Sequence, residues 1–304
     1  MHSALDTSTR KIVEAEDLWE IELTGGVDKD RYACIGCEAK LWPMSYKPEN
    51  IPRPYFQMRD PTTHKADCDV EKQVEWIRRG KTKRLTNQET GFPARYPSRL
   101  VLRTPRLTGA PDIDATDITP APTATSGGQT RPPADNRTER QTEANTIRPI
   151  CRSFINFPYD RDRVLEIPGV EAKTYLTAFR KLKWDTLAQL GEPKLFYAEL
   201  AWSAPIRTDD HLEVTLSAGE WGDSKAPQWP FRVRVDWRNW SKTRRTVVAK
   251  EIDATRKEGP RDSKEKGYLF FIGAQDRDDL TLIHVNDHRL VCSLAADIQY
   301  PNFK

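Results

Sequence analysis

From residue 34 to residue 68 the chain reads CIGCEAKLWPMSYKPENIPRPYFQMRDPTTHKADC. Two residues separate Cys34 from Cys37, and three separate His64 from Cys68. Structural zinc sites draw four nitrogen or sulfur ligands into a tetrahedron, commonly as two pairs from two short turns. Cys34-x2-Cys37 can wrap an ion between its own backbone amides. His64-x3-Cys68 suits a turn entering a helix, where residues four apart share a face. The 26 residues between the pairs leave room for a β-hairpin, so the site can close. The pattern predicts Cys34, Cys37, His64 and Cys68 as ligands of a structural Zn2+. Four protein ligands leave no open position for a reactive water, which argues against catalytic zinc. A redox CxxC would suit a βαβ context, which is missing. Cys151 and Cys292 stand alone and are read as ordinary buried thiols without a role.

Around this stretch the sequence divides by composition. Residues 15–103 look ordered, with short strands expected at LWEIEL (18–23), RYACI (31–35), KLWPMSY (40–46) and PYFQMR (54–59). After Cys68, Val70, Val74 and Ile77 recur at helical spacing beside Trp76. A few short strands and one helix make a small core, which a metal would help to hold. Residues 104–148 contain ten Thr, six Pro and no aromatic residue. Such a segment cannot bury enough apolar surface to offset its chain entropy and reads as a disordered linker.

Residues 150–304 recover aromatic and β-branched content. LFYAELAW (195–202), HLEVTLS (211–217) and PFRVRVDW (230–237) alternate apolar and polar positions, and GYLFFIG (267–273) is a continuous apolar run. TRRTVVAKEI (243–252) is expected to form a strand after a short turn. LTLIHV (280–285) and RLVCSL (289–294) are expected to pair across residues 286–288. One helix is expected over GVEAKTYLTAFRKLKW (169–184). Strands with turns at this spacing favour a mainly-β domain, an OB-like barrel or a β-sandwich. The expected fold is thus a small α+β zinc-binding domain (15–103), a linker (104–148) and a mainly-β domain (150–304).

The order Cys34-x2-Cys37, aromatic Tyr55-Phe56, His64-x3-Cys68 and a helix resembles the N-terminal zinc modules of bacterial competence-protein (CoiA-like) relatives. Such modules recur in mobile-element and defence-associated proteins, often fused to a DNA-processing domain. The resemblance covers a short part of the 304 residues and lacks a second histidine in the aromatic segment. It implies the four ligand roles and a bacterial mobile-element or defence setting, and no catalytic residue. The C-terminal domain matches no family pattern.

Composition narrows the partners less than local charge does. The chain is 37% hydrophobic and 31% charged, with nine Trp and a net charge of only +3. It has no run of about 18 apolar residues, so no transmembrane helix is expected. The N-terminus lacks the apolar core of a secretory signal. Five cysteines, three in one segment, fit a reducing compartment, and the protein is expected to be cytoplasmic. Residues 71–103 carry nine Lys/Arg against three Glu, concentrated at Arg78, Arg79, Lys81, Lys83 and Arg84. Residues 228–250 carry seven Lys/Arg against one Asp. Within that second group, Arg232, Arg234, Arg238, Lys242, Arg244 and Arg245 are the candidate contacts, interleaved with aromatics of which Trp240 is freest to stack. Basic groups meet phosphates and aromatics stack on unpaired bases.

The expectation is a non-enzymatic zinc protein that binds nucleic acid, DNA above all, single-stranded or at processed ends. A protein-binding adaptor or inhibitor with an acidic partner is the alternative. A metal-dependent nuclease would need the Asp209, Asp210, His211 and Glu213 cluster to hold an ion. No Walker A, GxGxxG, GxSxG or HExxH motif supports another enzyme class.

Overall fold

The computed structural model describes residues 1–59, 62–65, 68–85, 96–102, 143–183, 188–222, 227–260 and 263–301. The chain begins with β1 (Ser3–Asp6), β2 (Ile12–Glu14), α1 (Asp17–Thr24), β3 (Tyr32–Ala33), β4 (Trp42–Met44), β5 (Tyr55–Gln57) and α2 (Asp69–Gly80). Next come β6 (Arg99–Leu100), β7 (Glu143–Ala144), α3 (Ile147–Asn156) and the single-turn α4 (Tyr175–Ala178). They lead into β8 (Phe179–Lys181), β9 (Leu195–Glu199), β10 (Ile206–Arg207), β11 (His211–Trp221), β12 (Pro227–Asp236) and α5 (Lys242–Glu258). The last strands are β13 (Lys266–Phe271), β14 (Ala274–Gln275), β15 (Leu282–Val285) and β16 (Val291–Ala296).

Side chains alternate across a strand, so a doubly apolar strand serves two cores. β9 and β13 do this in the sheet β16-β13-β9-β8. Phe196, Ala198, Leu269 and Phe271 face one cluster, while Leu195, Tyr197, Tyr268 and Phe270 face another. The first cluster is closed by the sheet β10-β11-β12-β15-β14, through Leu212, Val214, Leu216, Phe231, Val233 and Val235. The second is closed by α3 through Ile147, Ile150 and Phe154, and by Trp76 of α2. Among the described residues the strands form open sheets, and the expected OB-like barrel does not close. β12 pairs antiparallel with β11 and, on its other side, in parallel with β15, because α5 replaces the returning strand expected at 243–252.

Four local expectations are corrected. Residues 243–252 are helical, within α5. Ser241 Oγ accepts the Arg244 amide at its start, and Val248, Ile252 and Thr255 fall on one buried stripe. The adjacent β-branched Val247 and Val248 suggested a strand, but helical spacing matches the surface that must be covered. Residues 18–23 lie in α1, where neighbouring Leu18 and Trp19 are both buried, a pattern that strand alternation does not allow. The helix expected over 169–184 shrinks to α4, because Phe179–Lys181 leaves it to pair with β9. β15 and β16 do not pair with each other. β15 joins β12, and β16 joins β13 in the other sheet.

Most of the expected linker lies outside the described residues, but its end is structured in β7 and the start of α3. At the other end, β1 and β2 precede the expected start at residue 15, and β1 pairs with β2 on one side and β3 on the other. They cover a small core of Ala4, Leu18, Tyr32, Leu41, Tyr46 and Phe56, which also holds Cys34, Cys37 and Cys68. This N-terminal part is packed on the rest of the chain. Trp19 joins Val247 and Ala254 of α5 in one buried cluster.

Candidate metal centre

The first ligand pair occupies a tight turn after β3. Glu38 N donates to Cys34 O at 2.9 Å and Cys34 N donates to Ala39 O at 2.7 Å. The turn packs closely at its glycine, since a Cβ on Gly36 would lie 3.1 Å from both Cys68 Sγ and Val70 Cγ2. It also forces Glu38 into the left-handed region, with φ at 60°. The second pair comes from the turn before α2. Cys68 N donates to Lys65 O at 2.9 Å, and Cys68 is the residue that caps α2. The β4–β5 hairpin spans the interval between the pairs, as the spacing requires.

These turns bring four donor atoms to within 4.8 Å of one another. Cys34 Sγ and Cys68 Sγ are 3.7 Å apart, and His64 Nδ1 lies 3.3 Å from both Cys37 Sγ and Cys68 Sγ. A tetrahedral ion with metal–sulfur bonds of about 2.3 Å and metal–nitrogen bonds of about 2.0 Å has edges of about 3.8 and about 3.5 Å. These three separations are close to those edges, so the four residues could hold a metal ion. The backbone supports the sulfurs. Gly36 and Cys37 amides donate to Cys34 Sγ, and Ala39 and Lys65 amides donate to Cys37 Sγ. Burial pushes the Cys34 thiol up to about 12. Burial also opposes the Cys37 thiolate, but the Lys65 amide, the His64 ring and the Ala39 amide outweigh it and bring Cys37 down to about 6. Cys37 is thus readier to deprotonate than Cys34. With all four donors on one ion, a tetrahedron would be complete.

No protein-family model, curated protein or solved structure matches this chain. What it does must be read from its own side chains.

The two basic stretches differ in how their charge is used. Glu213, 6% exposed, accepts from Arg232 Nη1 at 3.2 Å and from Arg234 Nη2 at 2.8 Å. Arg238 meets Asp210 at 3.3 Å and Arg244 meets Glu20 at 3.2 Å. Arg245 donates to the carbonyls of Trp240, Asp209 and Arg238. Trp240 is half-buried, edge-on to His288 at 5.6 Å, and so is less free to stack than its turn position suggested. Lys242 is exposed at the start of α5. At the end of α2, Arg78 and Lys83 are exposed, Arg79 and Lys81 are half-buried, and Arg84 pairs with Asp162.

The acidic group at 209–213 does not converge on an ion. Glu213 and Asp210 hold arginines, and His211 Nδ1 lies 3.1 Å from Thr208 Oγ1. Among the described residues, Cys34, Cys37, His64 and Cys68 are the one set of three or more such donors placed to share an ion.

Sequence reasoning passed over a second polar centre, at the seam between the N-terminal part and the rest. Arg53, from the β4–β5 loop, pairs with Glu258 at 2.7 Å and Glu16 at 3.3 Å and donates to Ser293 O at 2.7 Å. Arg152 pairs with Glu14 at 3.1 Å and with Glu16. No short-range pattern marks these residues, because their partners lie up to 240 positions away.

Proposed function

We propose that this chain is a non-enzymatic, zinc-stabilised nucleic-acid-binding protein with DNA as its favoured partner. One observation carries the proposal: the ligand Cys68 directly precedes α2, whose far end and following turn carry Arg78, Arg79, Lys81, Lys83 and Arg84. The metal centre therefore fixes the start of a helix whose other end is strongly basic. Among the described residues, Arg78, Lys81 and Lys83 have no carboxylate partner, so their charge is available to phosphates. Trp76 anchors the opposite side of this helix in the main core, which keeps the basic end in a fixed place. Three thiols and one imidazole suit zinc over the hard cations that prefer oxygen. Arg232, Arg234, Arg238 and Arg244 are weaker candidates, since each already holds an acid.

The test is a titration of the full chain against single- and double-stranded DNA at several salt concentrations. Affinity is expected to fall steeply with salt, and Arg78→Ala with Lys83→Ala to lower the slope by about one for each phosphate no longer neutralised. Absence of binding at low salt, or purification with a stoichiometric acidic protein and no nucleic acid, would overturn the proposal.

A further inference from the structure

The β4–β5 hairpin, which spans the interval between the ligand pairs, has one face that no core uses. Residues opposite each other in a hairpin share a face, and neighbours along a strand point to opposite faces. Pro43 and Phe56 are opposite and buried, and Phe56 lies in the small core around the ligands. The pairs on either side, Trp42 with Gln57 and Met44 with Tyr55, therefore occupy the outer face. Trp42 and Met44 are half-buried and Tyr55 is 38% exposed, and none of the three belongs to a hydrophobic cluster.

This face is held still from both ends. Cys37 precedes β4 and His64 follows β5, so the two ligand turns bracket the hairpin. At its loop, Lys250 of α5 donates to Lys47 O at 3.1 Å and Pro48 O at 2.7 Å, and Arg53 enters the acidic seam. Phe56 N donates to Met1 O at 2.8 Å. Rings on such a frame bind with little further loss of conformational freedom.

The charge beside the rings is positive. Lys40 Nζ and the Arg59 guanidinium each lie 5.9 Å from the Trp42 ring centre. That is the outer limit of a cation–π contact, about 6 Å, so neither packs onto the ring. Lys40 is paired with Asp30 at 2.8 Å. Arg59 is exposed, donates to Met44 Sδ at 3.2 Å and has no carboxylate partner among the described residues. A cationic ligand is repelled from this face, whereas a phosphate is drawn to it. Trp42 and Tyr55 are diagonal neighbours, and such positions lie about 7–8 Å apart, so each ring has room for its own flat partner.

Flat rings beside an unpaired cation match the bases and phosphates of a single strand. We propose, on the nucleic-acid reading above, that the outer face of the β4–β5 hairpin stacks unpaired bases. Trp42 and Tyr55 each take one base, and Arg59 meets a neighbouring phosphate. The partner is then single-stranded, because in a duplex the base faces are already stacked on one another.

Anisotropy titration of the full chain at low salt tests this with three labelled probes of equal length. They are oligothymidylate, a DNA duplex, and a strand of abasic sites, which offers the same phosphates without bases. Oligothymidylate should bind more tightly than the abasic strand. Trp42→Ala and Tyr55→Ala should each weaken oligothymidylate binding by about tenfold, as expected for one lost base–aromatic stack, and leave duplex binding unchanged. Tyr55→Phe keeps the ring and should keep the affinity. Arg59→Gln should lower the salt slope for the single strand by about 0.7, the value for one phosphate. Melting temperature and zinc content are measured alongside, and if Trp42→Ala unfolds, Tyr55→Ala decides alone. Binding that neither ring variant alters, or an abasic strand bound as tightly as oligothymidylate, overturns the stacking face and leaves the nucleic-acid reading standing. Absence of binding to all three probes overturns both.

Discussion

Arg148 grips Glu251 through two hydrogen bonds, Nε to Oε1 at 3.2 Å and Nη2 to Oε2 at 2.8 Å, and both residues are buried. The pair ties α3 to α5, and Glu251 Oε1 also accepts the Ser293 amide and lies 3.7 Å from Arg53 Nη1. One carboxylate therefore holds two helices, an outer strand and the loop between the metal-ligand pairs. Removing it leaves buried guanidinium groups without a counter-charge, which costs far more than the intact pair contributes. Glu251→Ala is expected to destabilise the chain by about 3–5 kcal/mol in urea unfolding. Replacing both partners, Arg148→Met with Glu251→Leu, should cost less than the single change. A loss below about 1 kcal/mol for Glu251→Ala would show that the seam carries no such burden.

Acid should weaken the same seam. Burial opposes the charged form of Glu16, but Arg152, Arg148 and Arg53 hold its carboxyl well below the usual carboxylate range. A depressed carboxyl pKa adds stability that is complete above its unfolded value near 4.5 and is lost as pH falls below it. His288 acts at higher pH. Burial, then Arg244, push it down from 6.5 to about 4 against the opposing charge of Asp287. Between those pH values the unfolded chain takes up a proton at His288 that the folded chain refuses, so the contribution of His288 to stability falls as pH drops from 6.5 to about 4. His288→Asn should flatten the stability profile in that window, and Glu16→Gln should flatten it below 4.5. Unchanged profiles from chemical denaturation across pH would contradict both assignments.

Elemental analysis of the purified chain is expected to find one zinc per molecule. Cys37→Ser and Cys68→Ser should each abolish it. Structural zinc can contribute on the order of 10 kcal/mol at neutral pH, so chelation should expose the core around Leu18, Tyr32 and Phe56 to proteolysis. The β13 and β9 strands should stay protected, because their clusters contain none of the ligands. Retention of metal and protease resistance by Cys68→Ser would exclude the four-ligand site.

Glu38 offers a gain of stability. Its φ of 60° is unfavourable for any residue with a Cβ, and its ion pair with Arg10 is exposed. Glu38→Gly is expected to raise stability by about 0.5–1 kcal/mol, with metal content unchanged. A lower melting temperature would mean that the Arg10 pair outweighs the backbone strain.

The metal site was the most legible feature of the chain because its information is local. The residues between Cys34 and Cys37 form the turn that aims both sulfurs, and the turn before α2 aims His64 and Cys68. Alternation also placed β9, β11 and β12, and a continuous apolar run placed β13, since each strand records in its own side chains which faces are buried. Where two periods compete, local information fails. Val247 and Val248 read as strand, yet α5 forms because its stripe covers β13 and β16. The basic run at 232–245 read as a free surface, and its acid partners Glu213, Asp210 and Glu20 were invisible in that stretch.

The sequence alone determined that Cys34, Cys37, His64 and Cys68 meet, and it determined the helix behind Cys68 and the strands of the two cores, because turn geometry and residue period are set by near neighbours. Tertiary structure alone decided that the sheets stay open, that most strand arginines are already paired, and that Arg53, Arg148 and Glu251 lock the N-terminal part to the rest. Those outcomes depend on charges and apolar faces that meet across separations from 19 to 240 positions, and only the packed chain brings them together.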